Sequence, residues 1–149
     1  MDDTPICHVA SSVVDAPEDY AFDHLADPTL LGRWALGCMD IEATDDPEVF
    51  AGRSLFDGSA VFVHIETERA LGLIDYYVGD RQARAPRIFI RVAPAALCGL
   101  AGKQCAVALT AWRHADMDDR RWRHLRTTHE TEVLLLKAQI ETRFGRQRW

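Results

Sequence analysis

Between residues 120 and 144 the apolar positions recur at the spacing of one helix face. Trp122, Leu125, His129, Val133, Leu136, Ile140 and Phe144 follow one another at steps of 3, 4, 4, 3, 4 and 4, which stacks them on a single stripe. Arg123, Arg126, Glu130, Lys137 and Glu141 take the opposite side. Asp116-Met117-Asp118-Asp119 puts negative charge where a helix N-terminus favours it, and Gly145 is read as the stop. A helix of about 25 residues would be ~37 Å long. With only one apolar side, it must lie across another layer of the fold.

From Met39 to His114 the period changes to two. In 60–68, Val61, Val63, Ile65 and Thr67 oppose His64, Glu66 and Glu68. In 87–93, Ile88, Ile90 and Val92 oppose Arg87, Phe89 and Arg91. In 104–113, Cys105, Val107, Leu109 and Ala111 oppose Gln104, Ala106, Ala108 and Thr110. This alternation predicts antiparallel strands with one solvated face. Gly52, Asp57-Gly58, Gly79-Asp80, Pro94, Gly99 and Gly102 mark turns or bends. Residues 71–78 are apolar on both faces, so the pattern leaves that strand unoriented.

Ahead of these strands, residues 6–14 read as a strand. Asp15 as cap, Pro17 in the first turn and Glu18 as the partner of a capping box predict a helix start. That helix runs Asp19–Ala26 and buries Tyr20 or Ala21, Phe22 and Leu25. Asp27-Pro28-Thr29 restarts the chain into a second short helix, Leu30 to Trp34. The 149 residues fit one domain, 1–149, with no linker or repeat. The fold class is α+β: a curved antiparallel sheet of six to seven strands around a long C-terminal helix, with two short helices after the first strand.

Charge narrows the partners. The chain carries a net −6, unevenly spread. Residues 1–50 hold twelve acids and one base, whereas 113–149 hold six acids and nine bases. Such a chain lacks the net basic face that nucleic acid requires. Cys7, Cys38, Cys98 and Cys105 form no CxxC pair, and no His-x₃₋₅-His completes a zinc site, so buried free thiols are expected and no metal is. Walker, GxGxxG, GxSxG and HExxH patterns do not occur, and no cofactor is implied. The N-terminus lacks a signal-peptide pattern and no apolar run reaches ~20 residues, so the expectation is a cytoplasmic protein without membrane insertion.

Strand, two short helices, antiparallel strands and one long C-terminal helix is an order that resembles the START-like (SRPBCC) superfamily, with its polyketide cyclase/dehydrase and lipid-transport members. Ser12-Val13-Val14-Asp15-Ala16-Pro17-Glu18, then Leu25-Ala26-Asp27-Pro28, then Arg33-Trp34 is similar to the family's N-terminal V-x-APxxVWxxLxDP…W phrase. Phe22 stands where the family often has an aromatic residue. The resemblance implies a helix-grip fold with a cavity between the sheet and the long helix, closed at one mouth by the short helices. An empty apolar cavity of roughly 300 Å³ would cost on the order of 7 kcal/mol, so a retained cavity implies an occupant. The implied function is binding of an apolar small molecule, lipid-like or aromatic and polyketide-like. The alternatives are a cyclase/dehydrase-type enzyme using the same cavity and a protein-interaction module of the chaperone-activator kind. Self-association as a homodimer is compatible with either.

The candidate ligand-binding residues are His129, Trp34, Tyr76, Asp75, Leu125 and Val133; no catalytic residue is assigned. His129 interrupts the apolar stripe. It either anchors or exchanges a proton with a ligand's oxygen, or is satisfied by a strand neighbour. Of Asp75, Tyr76 and Tyr77, side-chain alternation sends Tyr76 one way and the other two the opposite way. An inward Asp75 would orient His129; an outward one would meet solvent or an arginine. Trp34 is either a cavity wall or plain core. Leu125 and Val133 flank His129 on the stripe. Arg87, Arg91 and His64 are assigned to the solvated face.

Overall fold

The computed structural model describes residues 4–146. In chain order the elements are β1 (Cys7–Val14), α1 (Glu18–Ala26), α2 (Pro28–Leu31), β2 (Met39–Ala43), β3 (Phe50–Arg53) and β4 (Ala60–Glu68). A 3₁₀ turn (Arg69–Leu71), β5 (Leu73–Gly79), β6 (Arg84–Pro94), α3 (Ala95–Cys98), β7 (Cys105–Trp112) and α4 (Asp119–Arg146) complete them. The described strands form one antiparallel sheet in the order β1-β7-β6-β5-β4-β3-β2. The chain therefore meanders from β2 to β7, and β7 closes back on β1.

The alternation read from the sequence holds for the inner face. Val63, Ile90, Val92, Cys105, Val107, Leu109 and Ala111 are buried. Strand β5, which the pattern could not orient, turns Ile74 and Tyr76 inward. Its Tyr77 stacks on the outer-face His64 at 4.6 Å. Packing decides here, because both faces of β5 are apolar enough to be inside. Tyr76 goes in, and its buried hydroxyl donates to the Leu25 carbonyl at 2.5 Å, tying α1 to the sheet.

Helix α4 is one uninterrupted span of 28 residues, and it buries Trp122, His129, Val133, Leu136 and Ile140 against the concave face. Polar links fix its position. The Trp122 indole donates to the Pro5 carbonyl (2.8 Å), Lys137 to the Val13 carbonyl (2.7 Å) and Gln139 to the Arg33 carbonyl (2.7 Å). Gly145 does not stop the helix, which continues through Arg146.

Other local expectations are also corrected. Asp15 does not cap α1: its carboxylate accepts from Gln104 at 2.7 Å, and Pro17 takes the cap position without a side-chain bond. Helix α2 ends at Leu31, so Trp34 lies in the turns that follow, while Asp27 caps α2 through the Thr29 N–H at 2.9 Å. All four cysteines are free, but only Cys38 and Cys105 are buried; Cys98 is exposed on α3. Gly72 is required at its turn. It sits at φ 64°, and a Cβ there would lie 2.1 Å from the Val92 carbonyl oxygen.

Candidate functional site

Helix α4 does not touch the whole sheet. Toward its N-terminal half it leaves a cavity of about 210 Å³, walled by β4, β5 and β6, by the turns after α2, and by the segment from Trp112 to Arg121. The resemblance implied a somewhat larger space. Even so, 210 Å³ exceeds the ~150 Å³ that accommodates benzene in an engineered core, and lies below the ~300 Å³ at which drug-sized pockets begin.

The apolar lining comes from inward strand positions (Val63, Tyr76, Val78 and Ile88), from Leu125 on α4 and from Trp34 in the turns after α2. Trp34 is 1% exposed and meets the Tyr76 ring edge-on, with centroids 5.8 Å apart. Its indole nitrogen is buried with no hydrogen-bond partner. The Tyr76 hydroxyl is already committed to Leu25, so Tyr76 offers the cavity its ring alone.

His129 and Glu132 form the polar floor. They are 2% and 5% exposed and both line the cavity. Burial, with some repulsion from His8 and Arg121, lowers the His129 pKa to about 4. Burial raises the Glu132 carboxyl to about 8, although the bond from the Leu36 N–H opposes the shift. Both shifts favour the uncharged forms of the two groups, which approach to 3.9 Å. His129 Nδ1 is also buried without a partner.

Glu132 was not picked out by the sequence, yet its signal was present. It stands three residues after His129 and four before Leu136, on the same stripe as both. Its carboxylate type suggested the solvated side. Thr128, four residues earlier, also lines the cavity, but its hydroxyl is occupied by the His124 carbonyl at 2.7 Å.

Arg87 corrects the alternation in β6. Tyr76 pairs with Ile88 but Tyr77 pairs with Pro86, so Arg87 is an extra residue between them. A bulge of this kind re-aims one side chain. Arg87 consequently lines the cavity beside Ile88 instead of facing out. Arg91, on the same strand, remains exposed, with its guanidinium on the Leu71 carbonyl at 3.0 Å. His64 keeps its outward parity, half-buried under Tyr77 and accepting from Arg84 at 2.7 Å.

Two of the candidate residues leave the site. Asp75 lies on the outer face beside Glu66, because alternation opposes it to the inward Tyr76; it cannot orient His129. Val133 is buried in the core one turn beyond the cavity and does not line it. His129, Trp34, Tyr76 and Leu125 are brought together as lining. Cys38 also lines the space, but burial pushes its thiol up to about 12, which leaves it protonated and poorly nucleophilic. No group of His, Cys, Asp and Glu side chains that could hold a metal exists among the described residues. A larger hollow of about 600 Å³ borders β4 and the segment 46–50. Its His64 and Arg84 already bond one another, and nothing chemical converges on it.

The sequence matches no protein-family model and no curated protein. Solved structures do resemble the chain. The Zhui aromatase/cyclase from Streptomyces sp. R1128 superposes with a TM-score of 0.65 at 14% identity, over 96% of this chain and 95% of that one. The di-domain ARO/CYC BexL from the BE-7585A biosynthetic pathway gives 0.65 at 18%, over 91% of this chain, which spans 46% of BexL. The Aha1 dimer from Colwellia psychrerythraea gives 0.64 at 14%, over 92% and 97%. The chain thus has the helix-grip fold that these structures share. Among the described residues no helix is long and apolar enough to cross a membrane.

Proposed function

We propose that this protein binds a small, largely apolar molecule, of one or two rings or a short chain, in the cavity between sheet and α4. The observation that carries the reading is a retained cavity of about 210 Å³ whose lining includes two residues, Trp34 and His129, with buried and unpartnered ring nitrogens. A buried polar group left unpaired costs about 1–3 kcal/mol. A ligand oxygen that met either nitrogen would recover that cost, while the aromatic and aliphatic walls hold its body. An interaction module of the chaperone-activator kind would be expected to fill this space. The test is titration of the native protein with the neutral fluorescent probe N-phenyl-1-naphthylamine, followed by displacement with a fatty acid or a polycyclic aromatic. Saturable uptake of one equivalent is expected, and a folded protein that takes up none ends the proposal.

A second reading, cyclase/dehydrase-like chemistry, is favoured by one specific feature. Glu132 is a protonated acid and His129 an unprotonated base at neutral pH, and they share the cavity floor. In a dehydration, Glu132 would protonate the departing hydroxyl while His129 removed the proton from the neighbouring carbon. A one-ring β-hydroxyketone incubated with the protein at pH 7 should then gain enone absorbance. A rate equal to that of the buffer would leave binding as the whole function.

We place self-association on the outer side of the edge strand β1, where Val9 and Val13 are exposed, with Ile6 exposed just ahead of the strand and Trp112 at the neighbouring β7 end. Sedimentation showing a monomer at every concentration would end that part.

A further inference from the structure

Arg87 is the least explained group at the cavity. The bulge between Tyr76 and Tyr77 turns it toward the space, and it is half-buried there. No carboxylate or carbonyl among the described residues bonds its guanidinium. Its neighbours on β6 differ: Arg84 is committed to His64 and to two backbone carbonyls, and Arg91 to the Leu71 carbonyl. A partly desolvated guanidinium without a counter-charge is costly, and its planar fork suits a carboxylate.

The rest of the lining supplies no such partner. Asp57 also lines the space, but its Oδ1 accepts the Ser59 N–H and hydroxyl at 2.9 and 2.6 Å, and its charge lies near Arg121. Arg121 stands over the Phe56 ring at 4.3 Å. Glu132 accepts the Leu36 N–H at 2.9 Å, and burial raises its pKa to about 8, which disfavours the carboxylate. His114 lies close enough to Arg87 for the guanidinium to help lower its pKa after burial, while the exposed Asp116 opposes this. Its Nε2 is buried and unpartnered. Among arginines and carboxyl groups the lining is thus Arg87 and Arg121 with Asp57 and Glu132. Asp57 is held by Ser59 near Arg121, and burial disfavours a charged Glu132, so neither carboxylate is placed to serve Arg87.

We infer that the ligand is an organic acid whose carboxylate sits on Arg87, with His114 alongside, and whose apolar body extends past Ile88 toward Trp34 and Tyr76. This deepens the binding reading and rests on it. The ligand class is a small aromatic or short-chain monocarboxylate, which neutral cavity walls alone would not select.

The test is calorimetric titration at pH 7 with a shape-matched pair, naphthalene-2-carboxylate and the neutral 2-acetylnaphthalene. The native protein should bind the acid about 10- to 100-fold more tightly than the ketone, the range for a hydrogen bond to a charged group. Arg87→Gln should weaken the acid by about 10- to 100-fold and so remove that preference, while the ketone, which presents no charge to the guanidinium, loses far less. Arg87→Lys, which keeps the charge without the fork, should retain part of it, and added salt should weaken the acid alone. Thermal melting of both variants checks that the fold is intact. Should Arg87→Gln fail to fold, the acid-to-ketone ratio and its salt dependence in the native protein and in Arg87→Lys still decide. Ketone binding without preference for the acid overturns this inference and spares the binding reading. An acid preference that survives Arg87→Gln also overturns it. Absence of binding by both compounds overturns both.

Discussion

The Glu132 carboxyl, buried on α4, accepts the backbone N–H of Leu36 at 2.9 Å. This single bond joins the helix to the turns that carry Trp34, Ala35, Gly37 and Cys38 along the cavity wall. With Gln139 on the Arg33 carbonyl, α4 holds that wall at two points, one of them through a titratable group.

Stability should therefore depend on Glu132 in a defined pH window. Its folded pKa, about 8, lies above the ordinary 4.5. The stabilising contribution of the protonated form is full below pH 4.5 and is lost as pH rises through 8. His129 works in the opposite sense. Its pKa is lowered from 6.5 to about 4, so its contribution is full above 6.5 and is lost as pH falls through 4. Between 4.5 and 6.5 the two oppose each other; above 6.5 the Glu132 effect remains. Denaturant unfolding should show a loss of roughly 2 kcal/mol from pH 6.5 to 8. Glu132→Gln, which keeps an acceptor for Leu36, should flatten that slope. An unchanged slope would remove Glu132 as its source.

Replacing Glu132 with leucine tests the link itself. The half-buried Leu36 N–H would then lose its acceptor, a cost of about 1 kcal/mol and at most ~3. Chemical denaturation at pH 6, where the native carboxyl is protonated, measures it. A variant as stable as the parent would show that the turns hold their shape without α4.

His129→Leu exchanges a buried polar ring with an unpartnered nitrogen for an apolar side chain of similar volume. The melting temperature should hold or rise, and the acid-side loss of stability between pH 6.5 and 4 should shrink. If His129 meets a ligand oxygen, ketone affinity falls by about 1–3 kcal/mol while a hydrocarbon of the same shape binds as before. Equal affinities of variant and parent for both would retire His129 from the site.

Tyr76→Phe separates wall from anchor. The ring that faces Trp34 is kept, but the Leu25 carbonyl loses its donor. Stability should drop by about 1–3 kcal/mol with little change in probe affinity. A large loss of affinity with stability intact would mean that the hydroxyl serves the ligand and not α1.

Gly72→Ala asks whether the turn before β5 tolerates a side chain. The positive φ and the 2.1 Å approach to the Val92 carbonyl both oppose it, so destabilisation of more than ~1 kcal/mol is expected by thermal or denaturant melting.

Some of this protein was determined by local pattern alone. The stripe from Trp122 to Phe144 fixes one long helix with a buried side, because a 3.6-residue period can satisfy no other element. The alternation of β4, β6 and β7 fixes the inner face, since a period of two leaves each residue one side to choose. His129 and Trp34 were legible as candidates, one for breaking an apolar stripe and the other for its place at the expected end of the second short helix. What the tertiary structure decided was whatever depends on pairing and enclosure. The inward face of β5 awaited the partner that could receive the Tyr76 hydroxyl. Arg87 turned inward because β5 and β6 slip by one residue, and a slip in register leaves no trace in the alternation of one strand. Glu132 lay on the right stripe, yet only tertiary burial and a waiting Leu36 N–H make a place there for a carboxyl whose pKa is raised.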